Sequence, residues 1–250
     1  MDNNQVGISV QNLSIRFRHQ IGAPSLRETV HRFINRKQAA SQDFIAVKNI
    51  SLEVKDGERV AIVGHNGAGK STMLKCLAGI YPPSTGMVRI HGVLIPLLEL
   101  GAGFSMSLSA RDNIYLNGAI LGLDRKKIQE IEEEILEFAE LKDFSNQPMI
   151  TLSLGMRSRL GFSVASFLSP EILLLDEVFA TGDIVFVQKA KARMLEMIDD
   201  CRILMMVSHQ EEILREVCNR IIVMHHGEIV MDGSVDEGLK FYHELLHIGN

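Results

Sequence analysis

The sequence predicts an α/β fold in which helices pack against a mainly parallel β-sheet. Short apolar runs alternate with helical patterns along the chain, which is typical of parallel strands joined by helices. A glycine-rich phosphate-binding motif also follows one apolar run and opens a helix. The 250 residues, 46% of them apolar and 23% charged, suffice for one large domain or two small ones with a substantial core.

The predicted elements begin with two strands, continue through a helix-rich region and end with further strands. Residues 8–17 and 45–54 alternate apolar and polar side chains, which predicts two half-buried strands. Residues 59–63 form a short apolar strand, and helical patterns dominate from 113 to 168. Residues 235–248 have the pattern of a short amphipathic helix. Helical patterns separate three further apolar runs, which we predict to be strands: 172–175, 203–207 and 221–224.

Charge and cysteine content exclude several classes of function. The 26 basic and 31 acidic residues give a net charge of −5, which argues against a broad affinity for nucleic acid. The three cysteines have no metal-ligand spacing and cannot form a disulfide framework, as expected in a reducing compartment.

The first twenty residues are mostly polar, so we expect no signal peptide. The longest apolar runs fall far short of the ~20 residues that span a bilayer.

A basic segment at 18–43 interrupts the first two predicted strands. Its apolar residues have helical spacing, and Ser25 with Glu28 forms a capping box. One interpretation is a surface helix with a solvated basic face. The other is a helix that contacts a membrane protein or lipid headgroups. Both interpretations rest on the same residues, which are Leu26, Val30, Phe33 and Ile34 on the apolar side and Arg27, Arg32, Arg36 and Lys37 on the basic side.

The phosphate-binding motif predicts a nucleotide site. Its pattern, G-x-x-x-x-G-K-S/T, lies between an apolar strand and a helix, and its glycines let backbone N–H groups surround phosphates. Lys70 is expected to reach the β- and γ-phosphates, and the Ser71 hydroxyl to bind Mg²⁺. The nucleotide-binding residues predicted here are Gly64, His65, Asn66, Gly67, Ala68, Gly69, Lys70, Ser71 and Thr72.

Two adjacent carboxylates end the apolar run at 172–175. Asp176 would lie at the carboxyl end of a strand, where nucleotides bind in open α/β sheets, and it suits the outer coordination of Mg²⁺. Glu177 suits polarisation of the attacking water. The plainer alternative is that the two carboxylates cap a helix.

Two further parts of the sequence are weaker candidates for contact with the nucleotide phosphates. Ser153 and Gly155 stand just before a helical stretch and make an anion site or, as the residues alone favour, a plain helix cap. His209 follows the apolar run at 203–207, where it is either a structural histidine or a γ-phosphate contact; we favour the contact.

In this order and spacing, these stretches resemble the nucleotide-binding subunits of ABC transporters over nearly the whole chain. The resemblance implies an ABC-type P-loop domain over 1–250, with a helical subdomain at about 106–168. It makes Glu177 the catalytic glutamate and His209 the switch histidine. It places Ser153 and Gly155 in the signature motif and Asp183 in the D-loop. It also implies that Phe17 stacks on adenine, with Phe44 as the other candidate; either phenylalanine is equally compatible with a core position.

One branch of the family is most similar, the exporters of O-antigen, capsule and teichoic acid. Residues 95–104 and 111–115 and the Ser-x-Gly-Met signature carry this likeness. Two residues depart from the general family pattern. Glu99 replaces a glutamine and offers a carboxylate to Mg²⁺ or water, and Leu154 replaces a small signature residue and is expected to crowd the partner's nucleotide.

The resemblance implies an ATPase that uses ATP and Mg²⁺ and works as a homodimer. It further implies an integral membrane permease as partner, a lipid-linked surface polysaccharide as cargo, and a peripheral location on the cytoplasmic face of the inner (plasma) membrane. Since the last strand is predicted to end near Met231 and only a short helix follows, we expect no C-terminal carbohydrate-binding domain. The alternatives are a cytosolic ABC ATPase that does not transport and a non-catalytic ATP-dependent clamp.

Overall fold

The structure is a computed structural model that describes residues 6–18, 43–98, 101, 103–176 and 184–248. Within these residues, two β-sheets and seven α-helices follow one another in an α/β arrangement. No helix in this described part is long and apolar enough to cross a membrane. The predicted basic segment falls almost wholly outside the described residues.

The first sheet is antiparallel and contains three strands. Its central strand is β1 (Val6–Arg18), which pairs with β2 (Asp43–Lys55) on one side and β4 (Thr85–Ile90) on the other. The alternation in β1 and β2 turns one face inward, because Ile8, Leu13 and Val47 are fully buried.

The second sheet has six strands in the order β5-β6-β7-β3-β8-β9. Five of them run parallel, and only β9 is antiparallel to its neighbour. Parallel strands are covered on both faces, which explains why β6 and β7 are continuous apolar runs rather than alternating ones. The strands are β3 (Arg59–Val63), β5 (Leu94–Leu97), β6 (Ile172–Asp176), β7 (Ile203–Val207), β8 (Arg220–His225) and β9 (Glu228–Gly233).

The helices that flank this sheet begin with α1 (Lys70–Leu77), which buries Met73 and Leu74 in the core shared by both sheets. The others cover the opposite face, where buried side chains such as Phe186 and Met194 form a second core. They are α5 (Ile184–Asp200), α6 (Glu211–Val217) and α7 (Val235–Ile248).

Three helices between β5 and β6 pack around a third apolar cluster of their own, which contains Ile114, Ile135 and Leu160. Each begins at a side-chain cap: Ser109, Asp124 and Ser153 accept hydrogen bonds from backbone N–H groups three residues on. These helices are α2 (Ala110–Ile120), α3 (Arg125–Phe138) and α4 (Leu154–Ser166), all within the span predicted for a helical subdomain.

Candidate nucleotide site

The strand order brings the predicted phosphate site together at one edge of the larger sheet. Strand β7 lies between β6 and β3, and Val207 is in register with Asp176 on one side and Ile62 on the other. All three strands are parallel, so the segments that follow them leave the sheet at the same edge. The loop after β3, the carboxylate of Asp176 and the segment that carries His209 therefore converge.

These segments line one cleft with a volume of about 180 Å³. The cleft brings together predicted residues from three distant parts of the sequence, namely the loop, Asp176 and His209. The lining residues are Asn66, Gly67, Ala68, Gly69, Lys70, Ser71, Thr72, Asp176, Val207 and His209.

Two glycines allow the loop its tight path. Gly69, the residue before α1, has φ 101°, and a Cβ there would overlap the carbonyl oxygen of Ala46. A Cβ on Gly64 would overlap the carbonyl oxygen of Met224, and its φ is 152°. Any other residue would therefore displace β2 or β8 from the loop.

The side chain of Lys70 folds back over the loop. It is 92% buried, its exposed fraction being 8%, and its Nζ donates hydrogen bonds to the carbonyl oxygens of Gly64 (2.6 Å) and His65 (3.1 Å). The ammonium group is therefore held at the centre of the loop, where the N-terminus of α1 also contributes positive potential.

The donor set of the cleft suits a hard divalent cation. The hydroxyl of Ser71 and the carboxylate of Asp176 line the same space, and Mg²⁺ prefers oxygen ligands of these kinds. The cysteines, by contrast, are all buried as free thiols. Burial raises the pKa of Cys201 to about 11 and that of Cys218 to about 12, so neither thiol has a nucleophile's reactivity.

An aromatic group lies on the smaller sheet. Phe17 and Phe44 are paired directly across β1 and β2, and both are exposed. The ring of Tyr81 meets Phe17 edge-on at a centroid distance of 5.4 Å, with Lys75 Nζ 5.8 Å from the Tyr81 centroid. Tyr81 was not among the predicted site residues.

The signature residues lie on the helical subdomain. Ser153 caps α4 by accepting a hydrogen bond from the Met156 N–H at 3.2 Å, which is the plain structural role that its position allows. Leu154 begins the helix with 71% of its surface exposed, and a Cβ on Gly155 would meet little but the Ser153 hydroxyl. Within the described residues, none of these three lines the nucleotide cleft.

Three predicted site residues, Glu99, Glu177 and Asp183, lie outside the described residues. Their chain neighbours are in place: β5 ends at Leu97 and β6 ends at Asp176.

Comparison with known proteins gives a consistent result. Residues 47–180 match the family described as ABC transporter. The chain is 40% identical over 81% of its length to the O-antigen export system ATP-binding protein RfbB of Klebsiella pneumoniae, 82% of which is covered. It is 43% identical over 76% of its length to RfbE of Yersinia enterocolitica, also an O-antigen export system ATP-binding protein, with 80% covered. The teichoic acids export ATP-binding protein TagH of Lactococcus lactis is 35% identical over 98% of this chain, which spans about half (52%) of that relative.

Solved structures share the fold. An ATP-binding cassette dimer in a post-hydrolysis state, bound to ADP and Pi, superposes with a TM-score of 0.67 at 22% identity, covering 91% of this chain and 98% of that one. An ATP-binding subunit of an ABC transporter gives 0.69 at 20% identity, covering 94% and 93%. These likenesses confirm the predicted fold class.

Proposed function

Since this chain belongs to the ABC transporter family, as its motifs predicted, we propose that it hydrolyses ATP to drive export of a lipid-linked surface polysaccharide. The observation that carries the proposal is the cleft in which the phosphate loop, Asp176 and His209 meet. The cargo follows from relatives named for O-antigen and teichoic acid export.

The loop binds the triphosphate through its backbone and Lys70. The lysine exchanges its hydrogen bonds to Gly64 and His65 for oxygens of the β- and γ-phosphates. This exchange replaces neutral acceptors with charged ones, so the hydrogen bonds strengthen. Phe17 or Phe44 stacks on the adenine, and Tyr81 supports Phe17 from the side.

Ser71 and Asp176 would hold Mg²⁺ from the cleft, with Glu99 as the third candidate ligand, and the ion would supply charge neutralisation on the transferred phosphoryl group. Glu177, next to Asp176 in the chain, accepts a proton from the attacking water. His209 contacts the γ-phosphate from the segment after β7. Catalysis is therefore mainly positioning and electrostatic stabilisation.

The complete site requires two copies of the chain. Ser153 and Leu154 are exposed on the helical subdomain and Gly155 is half-buried, and none of them lines the described cleft of its own copy. In a head-to-tail homodimer these residues close over the nucleotide of the other copy, and the N-terminus of α4 faces the phosphates there. Asp183, in the segment that resembles the family's D-loop, is a further nucleotide-binding residue of this proposed site.

A membrane permease supplies the path for the cargo. An apolar groove lies between the larger sheet and the helical subdomain, with Ile80 and Ile120 exposed along it and Leu98 and Ala165 at its base. Such a surface suits a protein partner. We place the permease's cytoplasmic segment in this groove and the homodimer peripherally on the cytoplasmic face of the plasma membrane.

The proposal is tested in cells that lack this chain. They should accumulate lipid-linked polysaccharide internally, and the wild-type chain, but not Lys70→Ala, should restore surface display. Unaltered surface polysaccharide in the deletion strain would favour a cytosolic ATPase without transport. Restoration by Lys70→Ala would favour a clamp that needs no turnover.

A further inference from the structure

Three histidines from two distant parts of the sequence meet at the phosphate loop. His65 is the second residue of that loop, while His225 is the last residue of β8 and His226 begins the turn to β9. Their ring centroids are 5.0 Å apart for His65 with each of the other two, and 4.2 Å apart for His225 with His226. We propose that His65, His225 and His226 form a binding site for a transition-metal ion of the zinc class.

The distances between the nitrogen atoms fit this assignment. One ring nitrogen from each histidine lies within 4.8 Å of those of the other two. Zinc–nitrogen bonds of about 2.0–2.1 Å in a tetrahedral site place ligand nitrogens roughly 3.4 Å apart. Side-chain rotations that move the rings by about an ångström would therefore complete the site. Three imidazoles with an open fourth position suit Zn²⁺, and also Ni²⁺ and Cu²⁺.

His65 is already oriented as a metal ligand. Its Nδ1 lies 2.7 Å from the carbonyl oxygen of Asn66, which cannot donate, so Nδ1 carries a proton and, in the neutral ring, Nε2 carries the lone pair. That Nε2 atom is buried and has no hydrogen-bond partner among the described residues. Metal-bound histidines almost always donate their second nitrogen to a carbonyl in this way. A buried lone pair without a donor is otherwise an uncompensated loss of hydration.

His225 repeats the same feature. Its Nδ1 is buried and lacks a hydrogen-bond partner within the described part of the chain. His226 is exposed and provides the route by which an ion enters.

The end of β8 and the turn after it, which carry His225 and His226, are attached to the phosphate loop. The Gly227 N–H donates to the carbonyl oxygen of Ala68 at 3.0 Å, and the Gly227 carbonyl accepts from the Lys48 N–H at 2.7 Å. A bound ion would add a second link between turn and loop through His65. His65 is not among the described residues that line the nucleotide cleft, although its backbone carbonyl accepts a hydrogen bond from Lys70.

The test uses the full chain without an affinity tag and without nucleotide, so its result does not depend on the proposed ATPase function. Zn²⁺ is titrated against a chromophoric chelator, and Co²⁺ binding is followed by its visible absorption. The test variant is His226→Asn, because His226 has φ 47° and asparagine accepts that conformation. His225→Asn is the second variant. His91→Asn changes an exposed histidine outside the cluster and is the control.

We expect one equivalent of Zn²⁺ to bind the wild type and His91→Asn equally. Each cluster variant should bind at least about tenfold more weakly, since loss of even an outer partner of a metal ligand costs about 10–100-fold. The tetrahedral Co²⁺ absorption should disappear with it, while circular dichroism in EDTA should stay unchanged. Equal Zn²⁺ affinity in wild type and both cluster variants, or an equal loss in the His91 control, would overturn the proposal.

Discussion

The Nζ atom of Lys70 donates a 2.6 Å hydrogen bond to the carbonyl oxygen of Gly64, across the width of the phosphate loop. The same side chain that is expected to bind phosphate therefore also holds the loop closed through this hydrogen bond. The first prediction follows from these two roles of Lys70, the expected contact with phosphate and the hydrogen bond within the loop.

Lys70→Ala removes both the phosphate contact and the loop-closing hydrogen bond. We expect weaker ATP binding and complete loss of hydrolysis, because no other described side chain supplies a cation at that point of the cleft. Fluorescent nucleotide titration and phosphate release measure the two effects. Lys240→Ala, an exposed lysine on α7, is the control and should behave as wild type. Unchanged binding and hydrolysis in Lys70→Ala would refute the phosphate-loop assignment.

Ser153→Arg tests the composite site. Arginine in place of the α4 cap should block closure over the nucleotide of the other copy and abolish turnover. Mixing it with inactive Lys70→Ala chains should restore activity, because one site of each mixed dimer then has an intact loop and an intact signature. The rate of the wild type should also rise more than linearly with concentration until dimers saturate. A linear rate without rescue would indicate a self-sufficient monomer.

Leu154→Gly tests crowding at the same interface. The leucine side chain is 71% exposed in the described chain, so its removal costs little packing, although glycine in a helix costs about 1 kcal/mol. We expect turnover per dimer to rise a few-fold, because the leucine side chain no longer crowds the nucleotide bound to the other copy. Leu154→Ala separates side-chain size from helix propensity and should give an intermediate rate. A sharp fall in both variants would mean that the leucine packs productively in the dimer.

Arg220 is predicted to contribute to stability rather than to catalysis. At the start of β8 it makes ion pairs with Asp232 at 2.7 Å and Glu58 at 3.0 Å, and it donates to the Glu53 carbonyl. The hydrogen bonds to Asp232 and the charge of Glu58 raise the pKa of this guanidinium further above its ordinary value. Arg220→Ala should lower the free energy of unfolding by about 2 kcal/mol in urea titrations.

The exposed Arg125 at the start of α3 is the matched control for Arg220. Arg125→Ala should change the free energy of unfolding by less than about 0.5 kcal/mol. An equally small effect at Arg220 would show that its ion pairs are offset by the loss of hydration.

The sequence was most informative where chemistry requires a fixed local pattern. The phosphate loop follows one apolar strand and Asp176 ends another, and the rule that nucleotides bind at the carboxyl ends of parallel strands predicted that both lie at one sheet edge. Strands β4 and β5 were missed for physical reasons. Most of β4 is exposed, so it lacks the alternation of a half-buried strand. Strand β5 contains Pro96, which argues against a central strand but is tolerated because β5 is the edge of its sheet.

Local sequence patterns could not predict contacts between residues that are far apart in the sequence. Tyr81 reaches Phe17 only because β1 and the segment after α1 come together in the fold. The same is true of His65, His225 and His226, since nothing in the spacing of 160 residues indicates a shared site.

Comparing ATP binding with ATP turnover in Glu177→Gln tests the central claim most directly. If Glu177 accepts the proton of the attacking water, the variant should bind ATP as tightly as the wild type, and its rate of phosphate release should fall by roughly 10²-fold or more. Nucleotide affinity and phosphate release are measured on the same preparations of wild type, Glu177→Gln and the control Glu244→Gln on α7. Near-normal turnover in Glu177→Gln, with ATP affinity intact, would contradict the proposed hydrolytic site.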